Sequence, residues 1–264
     1  MTILQAIILA IIEGITEFLP VSSTGHMIIG STVSGNQQDE FVKLFTVAIQ
    51  FGTILSVVVL YWKRFFQSID FYTKLFVAFL PAVVAGLLFN DYIDMLLESV
   101  AVVGLMLFLG GIVFLFIDRL APGGTEADQQ PMTFRKAAII GAWQCLAMVP
   151  GVSRSAATII GGMTQGFTRR TAAEFSFFLA VPTMFGATVK SMYEYVKDGG
   201  AFTTEHLQLF AIGNVVAFIV AIVAIRSFIS FLSKHGFKAF GWYRIAVGGV
   251  ILLLYFMDVP LRMM

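Results

Sequence analysis

The chain has 264 residues, of which 58% are hydrophobic and 12% charged, and its mean hydropathy is +0.87. A soluble domain carries about a quarter charged residues, so this chain lacks the polar surface of a globule, and its 27 phenylalanines would leave broad apolar patches in water. A water-soluble monomer is excluded, and so is a nucleic-acid partner, because the net charge is +1 and no Lys/Arg cluster can follow a phosphate backbone. The single cysteine, Cys145, excludes an intrachain disulfide and any cysteine-based metal site.

In chain order, residues 1 to 30 form an apolar, helix-like run interrupted by "LPVSSTGH". It has no basic n-region and no small-residue cleavage site, and Glu13 and Glu17 intrude, so it is expected to be retained rather than removed as a signal peptide. Uncharged stretches follow at 44 to 62, 75 to 90 and 99 to 117, then at 175 to 189, 207 to 225 and 245 to 257. About 20 helical residues cross a hydrocarbon core, with some tolerance at the ends, so these six are predicted to span. Between the two groups lie a polar linker, residues 118 to 132, and a second apolar run, 137 to 168, broken by "VPGVSRSAAT". A break at membrane depth leaves backbone groups unpaired and is tolerated only where they face protein or a wet cavity. Both broken runs are therefore read as re-entrant helical hairpins.

Loop charge orders these spans. Lys63, Arg64 and Lys74 separate the first two, while only Asp91, Asp94 and Glu98 follow the second. Lysine and arginine mark cytoplasmic loops, so the first loop is inside and the next outside. Arg119, Arg135, Lys136, Arg169 and Arg170 place the flanks of the second hairpin inside, and Lys234, Lys238 and Arg244 do the same for the loop before the last span. Both termini are then expected outside, with the first hairpin entering from the outer face and the second from the inner face.

The chain also matches itself. At an offset of 131, Val21-Ser22 falls on Val152-Ser153, Ile28-Ile29-Gly30 on Ile159-Ile160-Gly161, and Glu13 on Gln144. At 134, Glu40-Phe41 falls on Glu174-Phe175 and Phe51-Gly52 on Phe185-Gly186. The fold expected is all-α and integral to the membrane, with two inverted repeats, 1 to 117 and 133 to 264, each holding one hairpin and three spans.

The chemistry gathers at the two breaks. Glu13 and Glu17 share a helix face, and each costs about 2.5 to 3.5 kcal/mol in hydrocarbon, so a divalent cation, an arginine or a water-filled pocket must offset them. Pro20 then stops the helix, Ser22, Ser23 and Thr24 bring hydroxyls and free amides to the start of the next, and His26 adds an imidazole. A helix start of this kind receives anions, although Ser and Thr there also serve as plain N-caps. In the second break Arg154 stands between Ser153 and Ser155, with Thr158 a turn later. A structural salt bridge from Arg154 to one glutamate would leave the other unexplained. Tip to tip, the two breaks enclose room for a phosphate. Arginine's fork suits a transferring phosphoryl group, two carboxylates suit Mg²⁺ or Ca²⁺, and either His26 or Ser23 or Ser22 can serve as nucleophile, with His26 otherwise a base. Glu40, Gln144 and Glu174 are candidates for support of the site. His206 and His235 are expected in solvated loops, and Tyr61, Trp62, Tyr72, Trp242 and Tyr243 in an interfacial aromatic belt.

"EGITEFLPVSSTGH" (13 to 26) and "PGVSRSAAT" (150 to 158), in this order in an apolar chain of this length, resemble the undecaprenyl-pyrophosphate phosphatases of the bacitracin-resistance type. The resemblance implies a bacterial inner-membrane enzyme that removes the terminal phosphate of a C55 polyprenyl diphosphate, recycling the lipid carrier of cell-wall synthesis with Mg²⁺ or Ca²⁺. It implies that Glu13 and Glu17 bind metal or act as acid and base, and that His26 is catalytic. Ser22, Ser23 and Thr24 would bind phosphate or supply the nucleophile, and Arg154 with Ser153, Ser155 and Thr158 would clamp the diphosphate. It further implies inverted repeats, a homodimer and a site toward the outer face. The competing reading is a polyprenyl-phosphate flippase or secondary transporter, which shares inverted repeats and broken helices but releases no phosphate in micelles.

Overall fold

The computed structural model describes residues 1–35, 40–65, 68–97, 99–125, 131–259 and 261. Glu40 and Asp94 are described in backbone only, and Glu98 and residues 126–130 of the polar linker lie outside the described residues. In chain order the helices are α1 (Ile3–Thr16), α2 (Ser23–Ser34), α3 (Glu40–Ala48), α4 (Gln50–Leu60), α5 (Trp62–Phe65), α6 (Ile69–Leu88), α7 (Asn90–Leu97) and α8 (Val100–Leu120). They continue with α9 (Phe134–Cys145), α10 (Arg154–Thr164), α11 (Arg169–Lys197), α12 (Thr204–His235) and α13 (Lys238–Phe256). Among the described residues there is no strand.

Local chemistry starts most of the long helices. Thr2 and Gln5 form a capping box on α1, and Ser68, Ser99, Thr133, Thr168 and Thr203 each accept an amide hydrogen bond from the first turn of α6, α8, α9, α11 and α12. Six helical segments are long and apolar enough to cross a bilayer: Phe41–Leu60, Ile69–Leu88, Val100–Leu120, Arg169–Lys197, Thr204–His235 and Lys238–Phe256. These are the six spans expected from the sequence, with longer ends. In the most apolar 18 residues of each span, 61% of positions are buried in Phe41–Leu60 and in Arg169–Lys197, against 17% to 39% in the other four, so these two form the centre and the rest present more of their apolar side chains outward.

Two ends of the bundle are distinguished by what joins them. At one, Asp118 at the end of α8 accepts from Arg169 at 2.8 Å and from the Phe237 amide at 2.9 Å, tying the starts of α11 and α13 to it. Lys74 over Phe134 and Lys136 over Phe167 bring the starts of α6 and α9 to the same end. At the other, Gln5 Nε2 donates to the Ser34 carbonyl at 2.8 Å, so α1 begins where α2 finishes, and Phe41 stacks on His206 at 3.8 Å at the start of α12. The α1–α2 pair thus opens away from Asp118, whereas the α9–α10 pair opens toward it.

Close helix approach depends on small residues, as is usual in membranes. Along α8 and α13 a Cβ on Gly111 would come within 2.8 Å of the Gly241 carbonyl, and one on Gly110 within 2.3 Å of an Arg244 nitrogen.

Four expectations need correction. Arg244 is not in the loop before the last span: α13 begins at Lys238, and Arg244 lies well inside it, 1% exposed. Its positive charge at that depth is compensated by carbonyl oxygens described below. Asp118, Arg119 and Leu120 belong to α8 rather than to the linker, because Asp118 is held by its three-helix junction. His206 is not a solvated loop residue but sits in the first turn of α12, half-buried against the Phe41 ring. Tyr61 and Tyr243 are not simply belt residues: Tyr61 packs edge-on to Phe178, and Tyr243 bonds His26.

Candidate active site

Pro20 has no amide with which to continue α1, and the chain turns through Val21 and Ser22 into α2. Ser22 takes φ 65°, ψ 100°, and its side chain makes no capping bond. Among the described residues, the amides at the start of α2, belonging to Ser23, Thr24 and Gly25, consequently have no acceptor, as is expected of an uncapped first turn. In the other break, Gly151 (φ 91°) allows the chain to pass within contact of Val103, where a Cβ would sit 2.5 Å from the Val103 carbonyl. Ser153 (φ 76°, ψ 119°) then starts α10 and does cap it, accepting from the Ala156 amide.

The two breaks meet inside the bundle. Arg154 Nη2 donates to Glu17 Oε1 at 3.1 Å, and Ser155 Oγ donates to the Leu19 carbonyl at 2.9 Å. Ser23 Oγ donates to the other Glu17 oxygen at 2.7 Å. Arg154 is further fixed by the Ser176 carbonyl at 3.0 Å and lies 5.7 Å from the Phe18 ring centre, while Thr158 and Ser176 share a hydrogen bond of 2.6 Å beneath it. Glu17 and Arg154 are both largely buried, so their attraction is set against the desolvation of both charges, and losing either partner would strand the other as an unpaired buried charge. Glu13, one turn before Glu17, is wholly buried and its Oε1 has no partner. Two adjacent carboxylates facing one guanidinium leave a negative charge that calls for a cation or a proton.

Of the sequence-predicted residues, Glu17, Ser23, Arg154, Ser155, Thr158 and Glu13 are brought together. Ser153 hydrogen-bonds Ser155 at 3.0 Å while capping α10, so it belongs to the scaffold of the second tip. Ser22 and Thr24 flank Ser23 with hydroxyls that make no hydrogen bond among the described residues. His26 touches neither the carboxylates nor Arg154. Its Nδ1 is 2.8 Å from the Ser22 carbonyl and its Nε2 is 2.7 Å from the Tyr243 hydroxyl. A carbonyl only accepts, so Nδ1 carries the proton and Nε2 of the neutral ring accepts from Tyr243. Gln144 is buried, with Oε1 3.4 Å from the Thr183 hydroxyl and Nε2 unpartnered. Glu174 instead pairs with Arg64 and Arg170, away from the catalytic pair.

Three contributors were missed from sequence. Arg244 donates to the Pro20 and Val152 carbonyls at 3.0 Å each, to Gly151 at 2.9 Å and to Met106 at 3.2 Å. One guanidinium thereby satisfies backbone left open by both breaks and fastens the tips to each other and to α8. An arginine six residues inside an apolar helix was the signal available for it. Tyr243 and Ser176 carried none, since hydroxyls on apolar helices are common and only packing tells which meet a site.

The architecture and site define a polytopic helical membrane protein with an acidic, hydroxyl-bearing turn set against a buried arginine. A family model described as "Bacitracin resistance protein BacA" matches residues 6–250. The chain is 59% identical to an undecaprenyl-diphosphatase of Flavobacterium psychrophilum over 263 residues, covering 100% of both chains. It is 53% identical to one of Porphyromonas gingivalis over 281 residues, covering 99% of both, and 43% identical to one of Aquifex aeolicus over 250 residues, covering 94% of this chain and 96% of that one. The chain belongs to the BacA family.

Proposed function

We infer that this protein is an undecaprenyl-diphosphatase, hydrolysing the terminal phosphate of a polyprenyl diphosphate in the membrane to give polyprenyl phosphate and inorganic phosphate. Its curated relatives at 43 to 59% identity bear that activity as their name, and the arrangement of Glu17, Ser23 and Arg154 accounts for it chemically. Ser23 Oγ already donates to Glu17, so Glu17 is the base that takes its proton as the oxygen attacks the terminal phosphorus. The bond from that phosphorus to the bridging oxygen breaks, and polyprenyl phosphate leaves with the electron pair. Glu17 passes that proton to the departing polyprenyl phosphate; water then attacks the phosphoserine and gives a proton to Glu17, Ser23 Oγ takes this proton as its bond to phosphorus breaks, and inorganic phosphate departs. Arg154 and the free amides of Ser23, Thr24 and Gly25 stabilise the equatorial oxygens, and the Ser22 and Thr24 hydroxyls are available to the same group. His26, held by Tyr243 and the Ser22 carbonyl, orients this turn.

Glu13, with its partnerless buried oxygen, and Glu17 are the residues that would hold Mg²⁺ or Ca²⁺. Among the described residues no third acidic or imidazole ligand joins them, so substrate oxygens and water would complete the shell. A bound cation supplies charge neutralisation on the diphosphate.

The α1–α2 and α9–α10 pairs are read as re-entrant hairpins of two inverted repeats. The opposite directions in which they open and the shared backbone state of Ser22 and Ser153 support this. Lys63, Arg64, Arg169, Arg170, Lys234 and Lys238 cluster at the Asp118 end, which is therefore assigned to the cytoplasm. Both termini, and the mouth of the first hairpin, then face outward. The single observation carrying the catalytic reading is the Ser23–Glu17–Arg154 chain. Its test is phosphate release from a polyprenyl diphosphate by purified protein, with and without EDTA, together with a search for phosphoserine at position 23 after acid quench. No release refutes the enzyme, release without dependence on Ser23 refutes the nucleophile, and indifference to EDTA refutes the metal.

A further inference from the structure

A second polar cavity of about 280 Å³ lies between α4, α11 and α12, lined by Leu60, Tyr61, Arg170, Glu174, Ile225, Arg226 and Ile229. It is at the basic end of the bundle, where α4 and α12 finish and α11 begins. Glu174 is buried, and each of its oxygens takes one guanidinium: Arg170 Nε at 3.1 Å and Arg64 Nη2 at 3.3 Å. Arg226 lines the same cavity and, among the described residues, has no hydrogen bond or ion pair. The Tyr61 hydroxyl likewise has no hydrogen bond, although its ring is fixed against Phe178 at 5.3 Å.

Arg64 and Arg170 on the single carboxylate of Glu174 leave one positive charge over, and the exposed Arg226, which lines the same cavity, adds a second. The ion pairs on Glu174 use Arg64 and Arg170 and leave Arg226 for a ligand. The remaining wall is aliphatic, from Leu60 at the end of α4 and from Ile225 and Ile229 of α12, a helix that presents apolar side chains outward. Ligand pockets for whole small molecules run from about 300 Å³ upward, so this volume suits a headgroup whose tail lies outside along the helices.

We propose that this cavity is a binding site for a phosphate group, separate from the catalytic one. Arg226 and Arg170 grip the phosphate oxygens, Tyr61 donates to it, and the aliphatic wall receives the first carbons of a lipid when the phosphate belongs to a headgroup. Glu174 sets the affinity by holding Arg64 and Arg170 partly in reserve. Because α11 also carries Ser176, two residues from Glu174 and bonded to Arg154, the two sites share one helix.

Trp62 adjoins Tyr61 and is largely exposed, so its emission, isolated by subtracting the fluorescence of Trp62→Phe from that of wild type, reports on lipid beside the mouth of this cavity. Full-length protein in phosphatidylcholine vesicles is titrated with phosphatidic acid brominated on its acyl chain, with brominated phosphatidylcholine as the reference, and in a parallel series with inorganic phosphate. Phosphatidic acid is expected to quench the Trp62 component in preference to phosphatidylcholine. Arg226→Gln, which removes no contact within the protein, weakens this about fivefold, as expected for one cation at an anionic lipid, and Glu174→Gln tightens it. A saturable response to inorganic phosphate, moving in those same two directions in the variants, supports the site with free phosphate as its source. No response to either phosphate, or a shift of both variants in one direction, overturns it. Hydrolysis is not measured, so failure of the catalytic reading leaves this result standing.

Discussion

Ser22 and Ser153 stand 131 residues apart in nearly the same backbone state, φ 65°, ψ 100° against φ 76°, ψ 119°, each immediately before a helix. At Ser153 the hydroxyl accepts from the Ala156 amide and the first turn of α10 is closed. The Ser22 side chain caps nothing, and the first turn of α2 stays open. The flanking side chains diverge in the same way: Ser23 at one tip occupies the place of Arg154 at the other, and Glu13 that of Gln144. One backbone solution for breaking a helix thus occurs in an open form beside carboxylates and a closed form that carries a guanidinium. The site exists only where the two face each other.

The largest effects should come from the pair that crosses between the tips. Arg154→Ala and Glu17→Gln are each expected to lower turnover by about 100-fold or more, the scale of losing a transition-state clamp or a base, in protein that still elutes as a folded species. Retained turnover in either would detach that tip from the chemistry. Next is the joint itself. Arg244→Gln leaves several of the Pro20, Gly151, Val152 and Met106 carbonyls without a donor, and a loss of about 3 kcal/mol is expected from unpaired buried groups, read as a fall in Tm in detergent. An unchanged Tm would mean the tips hold together without it.

The two serines provide the sharper contrast. Ser153→Ala should cost about 1 kcal/mol of stability, a lost N-cap, with turnover changed less than threefold on the order of such structural effects. Ser22→Ala should leave Tm unmoved and lower turnover about tenfold, one neutral hydrogen bond to a charged group. Equal behaviour of the two variants would erase the difference between open and closed tips. The smallest effect expected is that of Tyr243→Phe. Nε2 of His26 loses its donor while the ring stack at 5.5 Å remains, so turnover should drop a fewfold and its pH profile shift, with Tm nearly constant.

Much of the site was legible because its signals are local. Charges are so costly in hydrocarbon that Glu13, Glu17 and Arg154 stand out in apolar runs, and Pro20 and Gly151 mark where helices must stop. Arg244 was misplaced because it follows Lys238 closely, and a positive charge near a basic loop reads as part of it. Thr183 and Ser176 were harder still, since hydroxyls satisfy themselves within a helix as readily as across one. Glu174 was placed near the chemistry by repeat register, and packing instead surrounds it with arginines on another face of α11.

By itself the sequence determined the solvent, the six spans, the two interruptions and which reactive groups each carries, because hydropathy and helix breaking depend on neighbours along the chain. Tertiary structure alone decided that Arg154 reaches Glu17, that Arg244 rather than a loop residue binds the two turns, and that Tyr243 holds His26. These depend on which faces of α8, α11 and α13 turn inward, and in a bilayer an apolar helix presents much the same surface to lipid as to protein, so only the packed bundle selects the face.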